Sequence, residues 1–514
     1  MNWLQAAGQD VVYAVRAARR TPGVVIVILL TFALGIGANT AIFSAVNSIL
    51  LRPLPYRDPQ RLVVVENARS LPQFETFRDD PGAFQSVGAY TDESVNLTDG
   101  LLPERVDASR ISAGLFPMLG IAPALGRTFT AAEDQPGGAQ VVILSHSLWQ
   151  RRYHGDPGII GRNIQAGGQS LTVIGVLGEG AGLAGDPFEV WMPRVFECTT
   201  FSRESIRLGA GILTLIGRLR PGVSLDQTNA RLRVMDGREA GKDASDIAYV
   251  RPLQDHVVGT FRANLLVLWA AVGCMLLICC ANIANLLLAR GASRRSEVSI
   301  RLALGASGGR IARQFFTESL VMALGGGLLG LPIAATFVRL LAQANFGDPA
   351  RSAHIQLDGT ALAAAFLLSV ACGVLFGMAP ALAAARADLH DALQEASRGS
   401  SVRSHMRVRS VLVVAEVAGS AVLLVSAGVF LRSFALMRAA PTGLHADHVL
   451  ALQIDLPPVR YEDPRSRAMF FQEVLRRVGS LPGVVAAGAA HPLHLLSRGR
   501  NSCFASKGSP TAAT

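Results

Sequence analysis

Lysine is nearly absent from this chain. Only Lys242 and Lys507 carry it, although lysine and arginine together number 48 among 514 residues. A phosphate-binding P-loop needs G-x-x-x-x-G-K-[ST], because its lysine must reach the β- and γ-phosphates. Lys242 follows Gly241 but precedes Asp243, and Asp236 stands where the first glycine of the motif belongs. Lys507 is followed by Gly508. ATP hydrolysis is therefore expected on another polypeptide. Cysteine is scarce as well, at six residues, and Cys198 is alone in the long polar stretch 52–262, which excludes an internal disulfide there. No C-x-x-C or His/Cys cluster has the spacing of a metal site. The sequence names no catalytic, cofactor-binding or metal-binding residue.

Charge is also thin, at 17% of residues, and aromatics make up 6%. Half the chain is hydrophobic and the mean hydropathy is +0.35. That is the profile of a membrane protein, not of a soluble globule. Residues 21–51, 263–289, 319–338 and 359–385 contain no charge, and 411–431 contain one, Glu416. About 20 apolar residues cross a bilayer core. Five transmembrane helices are expected, over 23–51, 263–289, 314–342, 359–385 and 410–432. The first run is about twice the length of a signal-peptide core and has no evident cleavage site, so it reads as an uncleaved anchor.

The net charge of +10 does not indicate nucleic acid, because many arginines flank the apolar runs. Arg16, Arg19 and Arg20 precede the first run. Arg290, Arg294, Arg295, Arg301, Arg310 and Arg313 separate the second from the third. Arg386, Arg398, Arg403, Arg407 and Arg409 separate the fourth from the fifth, while the 343–358 loop has Arg351 alone. The positive-inside rule then places the N-terminus in the cytoplasm, with 52–262 and 433–514 outside. Residues 1–22, with Trp3, Leu4, Val11, Val12 and Val15 at helical spacing, read as a juxtamembrane helix on the inner surface.

The 52–262 stretch is long enough for its own core. Residues 62–65, 141–144, 171–176 and 213–216 read as strands. Residues 145–153 read as a helix, and Ser224 with Gln227 forms a capping box opening another that runs to about Met235. The mixture is α+β. Asp134, His146, His154 and Asp156 are its polar candidates, but they fit no metal or triad template and read as surface or capping residues. Trp149 and Trp191 read as core anchors.

Between the second and third runs lies a patterned polar segment. Glu297 and Arg301 stand at i, i+4 in the favourable order for a helix ion pair. Val298 and Leu302 share one face, Ile300 and Leu304 another, and Gly305 is a helix stop. Pattern alone fits a solvated connector as well as a docking helix. Gly35, Gly37, Ala38 and Ala41 in the first run, and Gly325, Gly326, Gly327 and Gly330 in the third, permit close helix approach, whether within one chain or between chains.

Several of these segments resemble the MacB/FtsX-type ABC transporter permeases, and in particular a tandem-duplicated MacB-like subgroup. The first run with its exit, Leu34-Gly35-Ile36-Gly37-Ala38-Asn39-Thr40 and Leu51-Arg52-Pro53-Leu54-Pro55-Tyr56, is similar to that family's first span. Ile300-Arg301-Leu302-Ala303-Leu304-Gly305-Ala306 with Thr317-Glu318-Ser319-Leu320 is similar to its cytoplasmic loop and third span. Gly161-Arg162, Ile174-Gly175-Val176 and Leu219-Arg220-Pro221-Gly222-Val223 are similar to the MacB periplasmic core domain. Residues 411–434 and 449–485 resemble the start of a second unit, which the resemblance implies is truncated.

The resemblance implies an α-helical integral membrane protein of the bacterial inner membrane, with a large α+β extracytoplasmic domain of the MacB core type over 52–262. Residues 290–313 become a cytoplasmic coupling segment. Arg294, Arg295, Glu297, Val298, Arg301, Leu302, Leu304 and Gly305 would meet a cytoplasmic ABC ATPase subunit. Residues 386–409 become a cytoplasmic linker and 433–514 the start of a second outside domain. Implied partners are that ATPase, membrane lipid, a second permease unit or a homodimer, and a periplasmic adaptor or substrate; no cofactor and no nucleic acid are implied. The implied role is the permease of an ABC-type efflux or extrusion system. The alternatives are an FtsX-type signalling module that regulates an outside partner without transport, and an inactive truncated remnant.

Overall fold

The computed structural model describes residues 21–80, 82–100, 102–183, 187–197, 211–236, 247–293, 308–343, 356–385, 400–439 and 463–489, with a few isolated positions between them. The expected juxtamembrane helix of residues 1–22 falls almost wholly outside these residues.

Helix α1 (Pro22–Val46) opens at Thr21, with proline at its first position, where no backbone donor is missed. It ends in a single wide turn, Asn47–Leu51, of π-helical form. The chain then enters a ten-stranded mixed sheet of spatial order β10-β1-β9-β2-β3-β8-β5-β7-β4, with β6 bridging β2 and β7. The strands are β1 (Leu62–Glu66), β2 (Phe84–Leu97), β3 (Glu104–Ile111), β4 (Pro123–Gly126), β5 (Val141–Leu144), β6 (Asn163–Ala166), β7 (Gln169–Leu177), β8 (Val190–Met192), β9 (Thr214–Leu219) and β10 (Tyr249–Pro252). The β3–β8 and β5–β7 pairs are parallel; the others are antiparallel.

Four short helices cover the sheet: α2 (Leu71–Asp79), α3 (Leu115–Leu119), α4 (His146–Tyr153) and α5 (Leu225–Asp236). Strand β1 shows why the central strands are continuously apolar. Leu62 and Val64 enter one cluster, with Leu115, Phe116 and Trp191, while Val63 and Val65 enter another, with Phe74, Phe77 and Val250. Successive side chains point to opposite faces, so a strand buried on both sides needs apolar residues at every position. A third cluster, built on Val142, Leu144, Leu148 and Ile164, fills the distal half. Each large side chain fully buried here contributes about 1.5–3 kcal/mol.

The expected strands at 62–65, 141–144, 171–176 and 213–216 and the expected helices at 145–153 and 224–235 all appear. Strands β2 and β3, the longest antiparallel pair, were not expected. Glu93 and Arg110 lie on their inward faces as a buried ion pair, Nε to Oε2 2.8 Å. A carboxylate at a core position hides the polar–apolar alternation that marks a strand.

The remaining helices are α6 (Leu253–Ser293), α7 (Gly308–Gln343), α8 (Gly359–Ala385), α9 (Ser400–Ala439) and α10 (Pro464–Gly479). Among the described residues four stretches are long and apolar enough to cross a membrane: Pro22–Leu51, Arg262–Leu286, Ala312–Leu341 and Val413–Ala439. A fifth apolar stretch, Gly359–Leu375 of α8, is shorter. The second span, Arg262–Leu286, starts within one residue of the expected 263, but its helix is longer than the span. The helix starts ten residues earlier, directly after β10, and its first turns carry Gln254, Asp255 and His256 because they lie against the domain rather than in lipid.

Helix–helix contact within the bundle has little hydrophobic drive in lipid and relies on close packing. The small residues supply it. A Cβ on Gly37 would lie 2.7 Å from the Gly330 carbonyl oxygen. One on Gly326 would meet Phe32, and one on Gly327 would meet Ser369 of α8. Gly35 faces Leu276 and Cys279 of α6. These glycines are thus occupied by packing within the chain. Ile28, Phe32, Ile36, Ile283, Met322, Ala365 and Cys372 fill the space among the four helices.

Candidate functional site

Arg294, Arg295, Glu297, Val298, Arg301, Leu302, Leu304 and Gly305, the expected coupling residues, lie outside the described residues. What is described is their anchorage: they join Ser293, the last residue of α6, to Gly308, the first of α7. Helix α6 is 41 residues long. At 1.5 Å per residue it is about 60 Å long, twice the thickness of a hydrocarbon core. One uninterrupted rod therefore runs from the expected docking segment, through the apolar bundle, to strand β10.

At the far end the rod meets the sheet at the joint where α1 also arrives. Strand β10 pairs with β1 in antiparallel register, Val63 opposite Pro252 and Glu66 opposite Tyr249. The wide turn after α1 frees main-chain carbonyls, and the first turn of α6 collects them. Gln254 Nε2 donates to the Leu50 oxygen at 3.0 Å and to that of Arg52 at 3.4 Å. Just above, three ionisable side chains from two strands and a helix meet. Glu66 Oε1 lies 2.8 Å from Arg251 Nη2 and 2.8 Å from His256 Nδ1, and those two nitrogens are 3.0 Å apart. The hydrogen bond from His256, assisted by the charges of Arg251 and Arg69, holds the Glu66 carboxyl below its ordinary range against the opposing effect of burial.

Deeper in the bundle, polar groups tie helices together. Asn39 Nδ2 donates to Gly35 O of its own helix and to Val272 O of α6, at 2.9 and 3.1 Å. Ser44 Oγ donates to Gln356 O at 2.6 Å, ahead of α8. Movement of α6 along or about its axis would strain the Asn39 bond and the β10–β1 ladder together.

The core domain holds polar residues in structural roles. Asp134 accepts the main-chain N–H groups of Ala113 and Arg194, at 2.9 and 2.8 Å, and burial pushes its carboxyl up. Asp156 caps the short turn at Pro157–Ile159 through Gly158 N. His146 stands at the start of α4, stacked edge-on against Trp149, and His154 closes that helix in the left-handed region. Trp191 is 1% exposed, whereas Trp149 is half-buried and donates from Nε1 to Asp156 O. Sequence reasoning missed Arg194. It has a positive φ of 65° and its fully buried guanidinium donates to Glu197 Oε2, to the carbonyls of Glu133, Gly138 and Ala139, and to Gln140 Oε1. Pro193 before it was the only local signal of a turn.

Two family models match in tandem. A MacB-like periplasmic core domain matches residues 25–234 and an FtsX-like permease C-terminal domain matches residues 269–389. Among curated relatives, the macrolide export ATP-binding/permease protein MacB of Salmonella choleraesuis is 31% identical over 306 residues, covering 59% of this chain and 45% of the relative. The protein of that name from Chromobacterium violaceum is 30% identical over 299 residues, covering 56% and 43%. The chain thus spans less than half the length of these relatives. Of solved structures, the periplasmic region of MacB from Actinobacillus actinomycetemcomitans covers 43% of this chain and 97% of its own, at 15% identity and a TM-score of 0.32. The extracellular domain of the noncanonic ABC-type transporter YknZ from Gram-positive bacteria covers 37% and 99%, at 15% identity and a TM-score of 0.30. The chain thus carries both modules of the MacB/FtsX-type permeases, in the order core domain then permease domain.

Proposed function

We propose that this chain is the permease subunit of an ABC-type extrusion system of the bacterial inner membrane, its N-terminus in the cytoplasm. In this reading a separate ATPase displaces the 294–305 segment, and α6 carries that displacement to the core domain outside. The observation that carries the reading is the continuity of α6 from Ser293 to Leu253, flush against β10. A rod with no break delivers at one end a movement imposed at the other. The interior of the bundle agrees with a transmitter more than a tunnel. Its buried side chains are mainly apolar, Asn39, Thr40 and Ser369 bond to main-chain carbonyls, and the buried Glu318 accepts from Gln314 one turn before it in α7. A path for ions or polar solutes through the bilayer usually shows several ionisable groups along it.

Arg294, Arg295, Glu297 and Arg301 supply charge to the proposed docking surface, Val298, Leu302 and Leu304 its apolar contact, and Gly305 the turn back toward α7. Relatives named for macrolide export make amphipathic small molecules the first substrate class to try. Replacing Glu297 and Arg301 with alanine together with Leu302→Asp is expected to abolish co-purification of the ATPase from membranes. Unchanged recovery would remove the docking assignment. The sidedness is tested with single cysteines: an impermeant thiol reagent applied from outside is expected to label Gln135→Cys and spare Ser296→Cys. The reverse pattern would overturn the orientation.

A further inference from the structure

We infer that the wide turn Asn47–Leu51 is a hinge between α1 and the core domain, and that Gln254 is the positioning residue that couples this hinge to α6. What the hinge passes on rests on the relay reading; the hinge itself stands on geometry. Two struts join the bundle to the domain. Helix α6 starts at Leu253, directly after Pro252 ends β10, so this strut has no joint at the sheet. The α1 strut has one. On its bundle side Ala41 and Ala45 pack with Ala334 and Val338 of α7, and on its domain side Leu54 and Tyr56 are buried in the cluster around Trp191. None of the residues Asn47–Leu51 is buried, and Leu51, Arg52 and Pro53 are exposed. Packing therefore holds the chain firmly on both sides and releases it in between.

The backbone explains the width of the turn. Pro53 has no N–H to donate and keeps Arg52 extended, at φ −69° and ψ 122°. The turn closes instead through Arg52 N, which donates to Asn47 O at 2.8 Å, five residues back rather than four. Passing this bond to the Ser48 carbonyl would tighten the turn to α form and change by one residue the point at which the chain leaves α1. Turns of this kind are where helices bend. The two ends of the turn are tied to different neighbours. At its start Asn47 Nδ2 donates to Asp358 Oδ2 at 3.4 Å, and Asp358 caps α8 through Ala361 N. At its end the Gln254 amide, with two hydrogens on one nitrogen, reaches the carbonyls of both Leu50 and Arg52. Beyond Pro53 the chain is pinned to the domain: Tyr56 Oη donates to Gly182 O at 3.0 Å, and the Arg218 guanidinium donates to the carbonyls of Arg57, Asp58 and Met118. A displacement of α6 relative to α1 is therefore taken up by the turn, and Gln254 sets how far the turn opens.

The test is double electron–electron resonance on the full chain in lipid nanodiscs, without nucleotide or ATPase, in a background whose native cysteines are replaced by alanine. One spin-label pair, Leu34→Cys with Gln135→Cys, spans the hinge; the other, Val267→Cys with Gln135→Cys, spans the strut without a joint. All three positions are exposed. Each pair is expected to show one dominant distance with Gln254 in place. Gln254→Leu keeps the bulk of the side chain and removes the donor. It is expected to raise the minor population of the Leu34 pair by roughly 2- to 10-fold, the worth of one neutral hydrogen bond, and to leave the Val267 pair unchanged. Gln254→Lys restores a donor and is expected to return the Leu34 pair to its original distribution. An unchanged Leu34 pair in Gln254→Leu overturns the inference. So does equal broadening of both pairs, which is general loosening, or a lysine variant that stays broad. A failed ATPase pull-down leaves these distances untouched, and an unchanged Leu34 pair leaves the docking assignment standing, so the two ideas fail separately.

Discussion

Gly37→Ala is the sharpest probe of the bundle, since it adds one methyl group where two helix backbones meet. Its Cβ would lie 2.7 Å from the Gly330 oxygen, 3.3 Å from Gly330 Cα and 3.2 Å from Ile333 Cβ. Two of these atoms are backbone, so no rotamer change relieves the clash. Helices α1 and α7 must separate by roughly half an ångström or more, which loosens the packing of Phe32, Ile36 and Met322. Overpacking of this kind costs about 1–3 kcal/mol, against a gain of up to about 1 kcal/mol in helix propensity. A net loss of about 1–2 kcal/mol is expected. Gly273→Ala is the matched control: it lies mid-helix in α6 with nothing within 4 Å, and receives the propensity gain without the clash. The two variants should thus differ by about 2 kcal/mol in opposite directions from wild type. The assay is thermal unfolding of the detergent-solubilised chain with a thiol-reactive fluorophore. Cys279 and Cys372 are buried and react on unfolding, while exposed Cys274 sets the initial signal. If Gly37→Ala melts at or above Gly273→Ala, the close α1–α7 crossing is refuted.

Two further tests address the core domain. Arg194→Met removes a guanidinium that binds Glu197 and three carbonyls, leaving buried acceptors unpaired, and is expected to destabilise the domain by about 3–5 kcal/mol in chemical denaturation. Full stability would mean that the network is dispensable. Glu133 accepts from Arg127 and from Thr130, and these bonds hold its carboxyl at about 2 instead of 4.5. A lowered pKa contributes stability that is complete above pH about 4.5 and is lost as pH falls toward 2. Half-exposure of Arg127 reduces the contribution to about 2 kcal/mol. Glu133→Gln should therefore lower the domain's melting temperature at pH 7 and match the wild type at pH 2; an equal deficit at both would assign the loss to packing.

The parts of this fold that were legible are those in which one physical demand acted alone. The run at 62–65 reads as a strand because both its faces are buried, and Ser224 with Gln227 reads as a helix start because the capping bonds are local. The β2–β3 pair was hidden because Glu93 is stabilised in the core by Arg110, 17 residues away. The joint at Glu66, Arg251 and His256 could not be read for the same reason. Its members are separated by 185 and 190 positions, and each alone resembles an ordinary surface charge. The first turns of α6 were assigned to the domain because they are polar, although polarity there reflects what the helix leans on and not where it ends.

The length of α6 also carries information beyond its reach. His256 near its top and Val272 within the second apolar span must face Glu66 and Asn39 simultaneously. Inserting one residue between them would turn everything below by about 100° and lengthen the shaft by 1.5 Å. The two ends would then be out of phase, like a crankshaft with a slipped key. Related chains should vary in the composition of this stretch far more freely than in its number of residues.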